Sequence, residues 1–579
     1  TRASRIGRPG LPPRRCRILL FGAVVAFLGV TVRLVDLQVV APDAHVERGV
    51  AQRLRTVELP ALRGSIFDRN GQELALAVRQ HSVWGDPALV GDPAAHAAAL
   101  APVLGVGESE LRQRLSSEGS RFVYLARQVD SETAAAVEAL GLDGVALLDE
   151  PRRFRPAGDL ALSVLGDVDI DSRGLSGLER QYDERLSGET GKLLVEKGSD
   201  GRTIVAGERR LEPATRGEDL VLTIDRSLQY GVEQALAAQV AETGAEGGTA
   251  VVMVPGSGEV LAMASVVAGE GDEPPRPTAD NAALTSVFEP GSTSKVVTLS
   301  GVLEEGVAAP EDTLSVADKL QVGSKRFSDS SPHPTQTMSV SEVLAQSSNV
   351  GTITLAQRLG GERLDGYLRR FGFGQKTGLG FPGETAGLVP DYDDWATPSI
   401  GSISIGQGVA VNAVQMLGAF NTIANGGVHV APRLVRSVID PQGTERPTGA
   451  GDGERVVSEA TAGAMRDMLA QAVVDGTGTR AQVEGYRVAG KTGTARKPST
   501  EVRGYEPGAY MGVFAGFVPV EDPQLSIIVV LDEPHPYYGG VVAAPVFADI
   551  AEYGLRLLRI PPPAEAPPPA PAPDVPVTD

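Results

Sequence analysis

Phe288-Glu289-Pro290-Gly291-Ser292-Thr293-Ser294-Lys295 is the stretch on which the reading of this chain turns. Pro290 and Gly291 break the chain, and Val296, Val297, Leu299, Val302 and Leu303 then recur at helical spacing. Ser292 therefore stands at a helix start, with Lys295 one turn on and on the same face. A neutral lysine so placed can take the serine's proton, and serine is a weak nucleophile until a neighbouring base activates it. The helix dipole at that end favours developing negative charge. A serine at a helix start is also a common N-cap, so the tetrapeptide decides nothing alone.

Two further motifs decide it. Ser347-Ser348-Asn349 closes the helical stretch Ser341–Gln346 and supplies a hydroxyl and an amide. Lys491-Thr492-Gly493-Thr494 follows the apolar Val488-Ala489-Gly490, as a strand lining a cleft would. Lys376-Thr377-Gly378 repeats the lysine motif, but Phe373-Gly374 before it and Phe381-Pro382-Gly383 after it read as a loop. Lys376 is expected to be structural, because context decides a short motif.

Composition narrows the alternatives. The 579 residues allow two or three domains, and a net charge of -20 argues against a nucleic-acid partner. A single cysteine, Cys16, permits neither a disulfide framework nor a zinc-thiolate set. The six histidines are scattered, with no His-Glu-x-x-His, and no Gly-x-Ser-x-Gly elbow supports a Ser-His-Asp triad.

Outward from the motifs, the chain divides. Residues 1–17 hold six arginines and no acid, and residues 18–40 are apolar apart from Arg33 and Asp36. That pattern predicts a membrane anchor with a cytoplasmic N-terminus, Arg33 snorkelling to the outer interface. A cleaved signal peptide is the competing reading, though Pro42 follows Ala41 and no good cleavage site is present. Residues 45–215 are mixed and acidic, with a turn at Asn70-Gly71.

Leu220–Asp225 opens the next domain as a strand, followed by a helix from Ser227 to about Val240. Thr249–Val254 and Glu259–Ala264 form a hairpin about Pro255-Gly256-Ser257-Gly258. Helices fill the middle, and strands return at Tyr486–Ala489, Ala509–Val518 and Leu525–Leu531 before a helix from Ala544 to about Leu558. This is an α+β domain with an antiparallel sheet. Residues 561–579, rich in Pro and Ala, are expected to be disordered. There are no internal repeats.

The order Ser-x-x-Lys, Ser-x-Asn, Lys-Thr-Gly resembles the penicillin-binding protein and class A β-lactamase superfamily. Arg63–Gly71, Arg153–Pro156 and Gly174–Glu179 resemble the three boxes of the class B pedestal domain. Gly406-Gln407-Gly408 with Val414-Gln415-Met416, and Gly539-Gly540 with Ala543–Phe547, extend the class B resemblance over nearly all of residues 18–558. Gln346–Thr352 is most like the septal type of high-GC Gram-positive bacteria.

The resemblance implies an anchor at 18–40, a pedestal at 45–215 and a transpeptidase domain at 219–558. Buried ion pairs among Arg63, Asp68, Arg155 and Glu179 would hold the pedestal. It implies D,D-transpeptidation through a Ser292 acyl-enzyme, with Lys295 as base, Ser347 as proton relay, and Asn349 orienting the stem peptide. Lys491, Thr492, Gly493 and Thr494 would bind the terminal carboxylate, and the N–H groups of Ser292 and Thr494 the oxyanion. The implied partners are stem peptides and glycan from the lipid-linked precursor, β-lactam antibiotics, a SEDS-family glycosyltransferase and other divisome membrane proteins, with no cofactor or metal. An elongation or sporulation transpeptidase, a class A β-lactamase, and a β-lactam-binding scaffold or sensor without turnover remain alternatives. The lactamase needs a glutamate-activated water, and no convincing Glu-x-x-x-Asn loop lies between Asn349 and Lys491.

Overall fold

Leu525–Asp532 reads apolar at nearly every position, which suits a strand buried on both faces. In the computed structural model, Ile527, Val529 and Leu531 enter one core, while Ile528 and Val530 enter another on the opposite face. The structure describes residues 13–36, 54–196, 209–449, 451–498 and 504–563.

This strand belongs to a six-stranded antiparallel sheet made of β1 (Gly247–Met253), β2 (Val260–Val267), β3 (Arg276–Pro277), β4 (Ala489–Pro498), β5 (Tyr505–Val518) and β6 (Leu525–Asp532), in the order β3-β2-β1-β6-β5-β4. One face packs under α1 (Arg226–Thr243) and the late helix Gly539–Leu557. The other carries α2 (Lys295–Glu304), α3 (Asn349–Leu359), α4 (Ala413–Ala424) and α5 (Glu459–Val474). Ridge residues such as Met416, Leu417 and Phe420 of α4 are fully buried there.

Two boundaries differ from the sequence expectation. The strand expected at Tyr486–Ala489 runs over Ala489–Pro498, so the lysine motif is itself strand. The last helix begins at Gly539 rather than Ala544 and carries Pro545 inside it.

A second sheet joins the pedestal-like boxes to the catalytic half. Ile66–Phe67 pairs in parallel with Asp219–Leu222 and antiparallel with Glu73–Gly85, which in turn pairs with Val123–Val129 and Val145–Phe154. Hydrogen bonding across this sheet explains why residues 62–188 and 216–579 form one compact body. The other body comprises residues 1–61 and 189–215, where Leu54–Leu59, Gly191–Glu196 and Arg209–Glu212 make a three-stranded sheet.

The helix Pro13–Val35 also lies in that second body. At 1.5 Å per residue it is about 34 Å long, enough for a bilayer core of about 30 Å. Its most apolar 18-residue window has a mean hydropathy of 2.4, and it is the one helix among the described residues long and apolar enough to span. It fits a single-pass anchor. It begins before Ile18, and Arg33 pairs with Asp36 at 2.7 Å. Residues 37–40 of the expected anchor, and 564–579 of the expected tail, lie outside the described residues.

The ion pairs near the second sheet differ from expectation at two of four residues. Arg63 Nε meets Glu179 at 2.6 Å, with both side chains 2% exposed, and Arg63 also reaches Asp183 at 2.6 Å. The second arginine on Glu179 is Arg153, at 2.6 Å, not Arg155. Arg155 pairs at the surface with Asp159 and Asp167. The strand Val145–Phe154 ends before Arg155, so Arg153 is held on it against Glu179 while Arg155 lies past its end, beside Asp159 and Asp167. Asp68 is buried, but it serves the turn: it accepts from the N–H groups of Asn70, Gln72 and Arg226. Among the described residues no cation pairs with it.

Glu179→Ala should therefore destabilise the protein by about 3–5 kcal/mol, because two guanidiniums stay buried without their shared carboxylate. Chemical denaturation of the full chain measures it; a change below about 1 kcal/mol would mean that the arginines find other partners.

Candidate active site

Ser292 lies in a 3-10 turn, Gly291–Ser294, that feeds α2 at Lys295. The turn is held from two sides. Gly291 N–H donates to Gly406 O at 3.1 Å, and Thr293 Oγ1 donates to Pro290 O at 2.6 Å. On the other side β4 passes so close that a Cβ at Gly493 would sit 3.0 Å from Pro290 O and 3.0 Å from Thr293 Cγ2. Glycine in the third motif thus suits the close approach of the nucleophile turn.

Lys295 is fully buried, yet its ammonium is saturated. Nζ donates to Ser347 O at 2.6 Å, Ser347 Oγ at 3.2 Å and Asn349 Oδ1 at 2.8 Å. These are the three donors an ammonium has. The first and second motifs are thereby joined. Ser347 makes this possible with a φ of 61°, a left-handed conformation that costs a non-glycine residue energy and recurs at functional sites. Ser292 Oγ has no hydrogen-bond partner among the described residues; the lysine faces Ser347 and Asn349 instead.

Burial first, and the nearby Lys491 charge second, pull the proton affinity of Lys295 well below lysine's usual value, with Asp329 opposing them. Burial alone brings Lys491 down to about 7. Both lysines therefore give up a proton more readily than an ordinary lysine, as a general base must.

The third motif stands on edge strand β4. Lys491 Nζ donates to Thr477 Oγ1 at 3.1 Å and Thr492 Oγ1 at 3.2 Å, and the two threonine hydroxyls share a 2.6 Å hydrogen bond. Among the described residues Lys491 and Ser347 share no hydrogen bond. Thr494 Oγ1 accepts from Gly539 N–H at 3.2 Å. A Cβ at Gly539 would lie 2.2 Å from Gly493 O, so the late helix is laid directly on the motif.

The geometry is a serine beside two lysines of lowered proton affinity, in a turn wedged against an edge strand that can pair with an extended peptide. The comparisons with known proteins agree. The penicillin binding protein transpeptidase domain family matches residues 248–552, and the penicillin-binding protein dimerisation domain family matches residues 58–222. The chain belongs to the class B penicillin-binding proteins.

Penicillin-binding protein PbpB of Mycolicibacterium smegmatis is 34% identical over 93% of this chain and 90% of its own length. Peptidoglycan D,D-transpeptidase FtsI of Escherichia coli is 33% identical over 94% of this chain and 92% of its own. The crystal structure of penicillin binding protein 3 from Mycobacterium tuberculosis, complexed with aztreonam, superposes with a TM-score of 0.69. It is 32% identical over 89% of this chain and 100% of that one.

Within this class B protein, sequence reasoning missed several residues of the site. Thr477, in the turn Asp475–Thr479 after α5, carries no signal beyond a Gly-Thr-Gly. Asp329 holds the second motif: its carboxylate accepts from the N–H groups of Asn349 at 2.5 Å and Val350 at 2.9 Å, and from Ser348 Oγ at 2.7 Å. Glu289 accepts from Gly408 N–H at 2.8 Å and from Tyr505 Oη at 3.1 Å. Glu246, Asp532 and Glu533 cluster closely enough to suggest a cation site, but Lys497 Nζ sits within 3.3 Å of all three.

Lys376 is exposed on a loop and makes no hydrogen bond or ion pair among the described residues. Its neighbour Thr377 bonds to Glu384 through both N–H and Oγ1 at 2.6 Å. Lys376→Ala should leave penicillin acylation within about twofold of wild type, whereas Lys491→Ala should reduce it by about 10²-fold or more. Equal losses in two folded variants would remove the distinction.

Proposed function

We propose that this protein crosslinks peptidoglycan at the division septum by two-step acyl transfer through Ser292. The observation that carries the assignment of residues is the buried Lys295 ammonium bonded to both Ser347 and Asn349. In this reading Lys295, once neutral, takes the Ser292 proton as the oxygen attacks the carbonyl between the two terminal D-alanines of a stem peptide. The N–H groups of Ser292 and Thr494 stabilise the oxyanion, each worth about 10²–10³ in rate. Ser347 returns a proton to the departing D-alanine. Lys491, Thr492, Gly493 and Thr494 hold its carboxylate, and Asn349 aligns the donor peptide. The amine of a second strand then takes the acyl group and frees Ser292.

Residues 45–215 would serve as the pedestal and 219–558 as the catalytic domain, with the arginine-rich N-terminus in the cytoplasm and the catalytic domain outside. A SEDS-family glycosyltransferase and other divisome membrane proteins are the expected partners. The septal role is supported by the likeness to proteins named FtsI and PbpB.

The test is turnover by the full-length protein in detergent, given a stem pentapeptide or thioester donor with an amine acceptor. Release of D-alanine together with crosslinked product supports the reading; stoichiometric penicillin binding with no turnover sinks it in favour of a scaffold or sensor. Protease added to spheroplasts should digest the chain beyond residue 45, and a fluorescent fusion should gather at division sites. Protection of the bulk, or an even lateral distribution, would overturn the topology or the septal role respectively.

A further inference from the structure

His333 stands behind the second motif, on the carboxylate that organises it. Strand Lys325–Ser328 ends at Asp329, and Asp329 caps the start of α3 with contacts to Ser348, Asn349 and Val350. These are the orphan donors that a helix start presents, and an anion is favoured there. The same strand end fixes Asn349 from its other side, because Asn349 Nδ2 donates to Ser328 O at 3.0 Å. Asn349 Oδ1 in turn receives the Lys295 ammonium.

The remaining contact of the Asp329 carboxylate is His333 Nε2, at 3.0 Å. On the opposite side of the ring, His333 Nδ1 lies 2.7 Å from Pro334 O. A carbonyl oxygen and a carboxylate oxygen can only accept, and a neutral imidazole has a single N–H. Both contacts are satisfied together only when both ring nitrogens carry protons. Moving the proton to Asp329 instead is opposed by the three other donors aimed at that carboxylate.

We propose that His333 is a positioning residue: as an imidazolium it balances Asp329, so that the carboxylate can hold Ser348, Asn349 and Val350 in place without drawing a proton onto Lys295. This rests on the reading of Lys295 as the base for Ser292.

The charged groups about His333 are Asp329 and Asp318, the latter paired with Lys319 at 3.2 Å. The Pro334 carbonyl first, and Asp329 next, hold the proton affinity of His333 above the ordinary histidine value. Asp329 is also the group that pulls Lys295 toward its protonated form. The sign follows. Loss of the His333 charge leaves Asp329 uncompensated, Lys295 keeps its proton to higher pH, and the acidic limb of the acylation profile moves upward.

The experiment uses full-length protein and benzylpenicillin, with the second-order acylation rate measured against pH for wild type and for His333→Ala, His333→Gln and His333→Arg. Wild type should label at Ser292. His333→Ala and His333→Gln should move the acidic limb up by about one pH unit, which is about tenfold in rate at a pH on that limb, with the plateau kept within about threefold. His333→Arg keeps a cation beside Asp329 and should restore the limb. Thermal melting identifies any variant that fails to fold.

Superimposed profiles for His333→Ala and wild type overturn the proposal. So does an equal loss at every pH in all three variants, His333→Arg included, which would mark a structural role alone. A wild type that labels elsewhere than Ser292 overturns the reading of the site itself, and is distinguishable because it requires no variant.

Discussion

Ser292→Ala protein takes up no label from a fluorescent penicillin, and its turnover of stem peptide falls by about 10⁶-fold, the loss that follows removal of a serine nucleophile. The neighbouring serines do not replace it. Ser294 is fully buried, and its hydroxyl faces Gly406, whose Cβ, if it had one, would lie 2.6 Å from Ser294 Oγ. Ser347 is committed to Lys295 through both its carbonyl and its hydroxyl. The wild-type adduct should persist, because a β-lactam's leaving group stays tethered and blocks the acceptor. Glu289, three residues before the serine, is engaged with Gly408 and Tyr505 rather than free to activate water. Peptide mapping of the labelled protein reads the site directly. Label on Ser294 or Ser347, or undiminished labelling of the variant, would overturn the nucleophile and with it the acyl-transfer mechanism.

Lys295→Ala lowers acylation by about 10²–10⁴-fold, the range that a positioned general base contributes. The variant also leaves Ser347 O and Asn349 Oδ1 without their donor, so Lys295→Arg is the better probe of base against scaffold. Arginine keeps the charge and donors but cannot give up its proton. If Lys295 serves only as a cation, Lys295→Arg should retain most activity; if it is the base, both variants are inactive. The pH profile has a definite sign. The neutral lysine is the active form, and burial with the Lys491 charge pulls its proton affinity down. Acylation therefore persists to lower pH than an ordinary lysine would allow, and falls as acidification protonates Lys295. Lys491→Ala removes one of the two depressing influences, so its residual activity should have an acidic limb displaced to higher pH. A limb displaced to lower pH, or not at all, would show that the two lysines are not electrostatically coupled.

Much of this protein is legible without coordinates. The three motifs lie in order, and the strand and helix periods around them are clear. The apolar run of β6 shows a strand buried on both faces, and the hairpin of β1 and β2 follows from its turn chemistry. Where the sequence reading slipped, the missing information was spatial. The strand expected at Tyr486–Ala489 from its apolar residues instead begins at Ala489 and runs on through the polar Lys491-Thr492-Gly493-Thr494, against which the nucleophile turn packs. The late helix starts at Gly539-Gly540, poor helix formers, because glycine alone fits where that helix meets Gly493 O and Thr477 O.

The sequence by itself determined the family, the antiparallel core and the three motifs, since these depend on residue type, order and period. Only the tertiary structure decided which charges pair and where each lysine's proton rests. Arg153 rather than Arg155 reaches Glu179 because the strand that carries Arg153 ends before Arg155. Thr477, Asp329 and His333 join the site because their loops fold back onto the motifs. Burial lowers the proton affinity of both lysines, and the charge of Lys491 lowers that of Lys295 further. Each of these depends on distance and desolvation, which the order of residues along the chain does not carry.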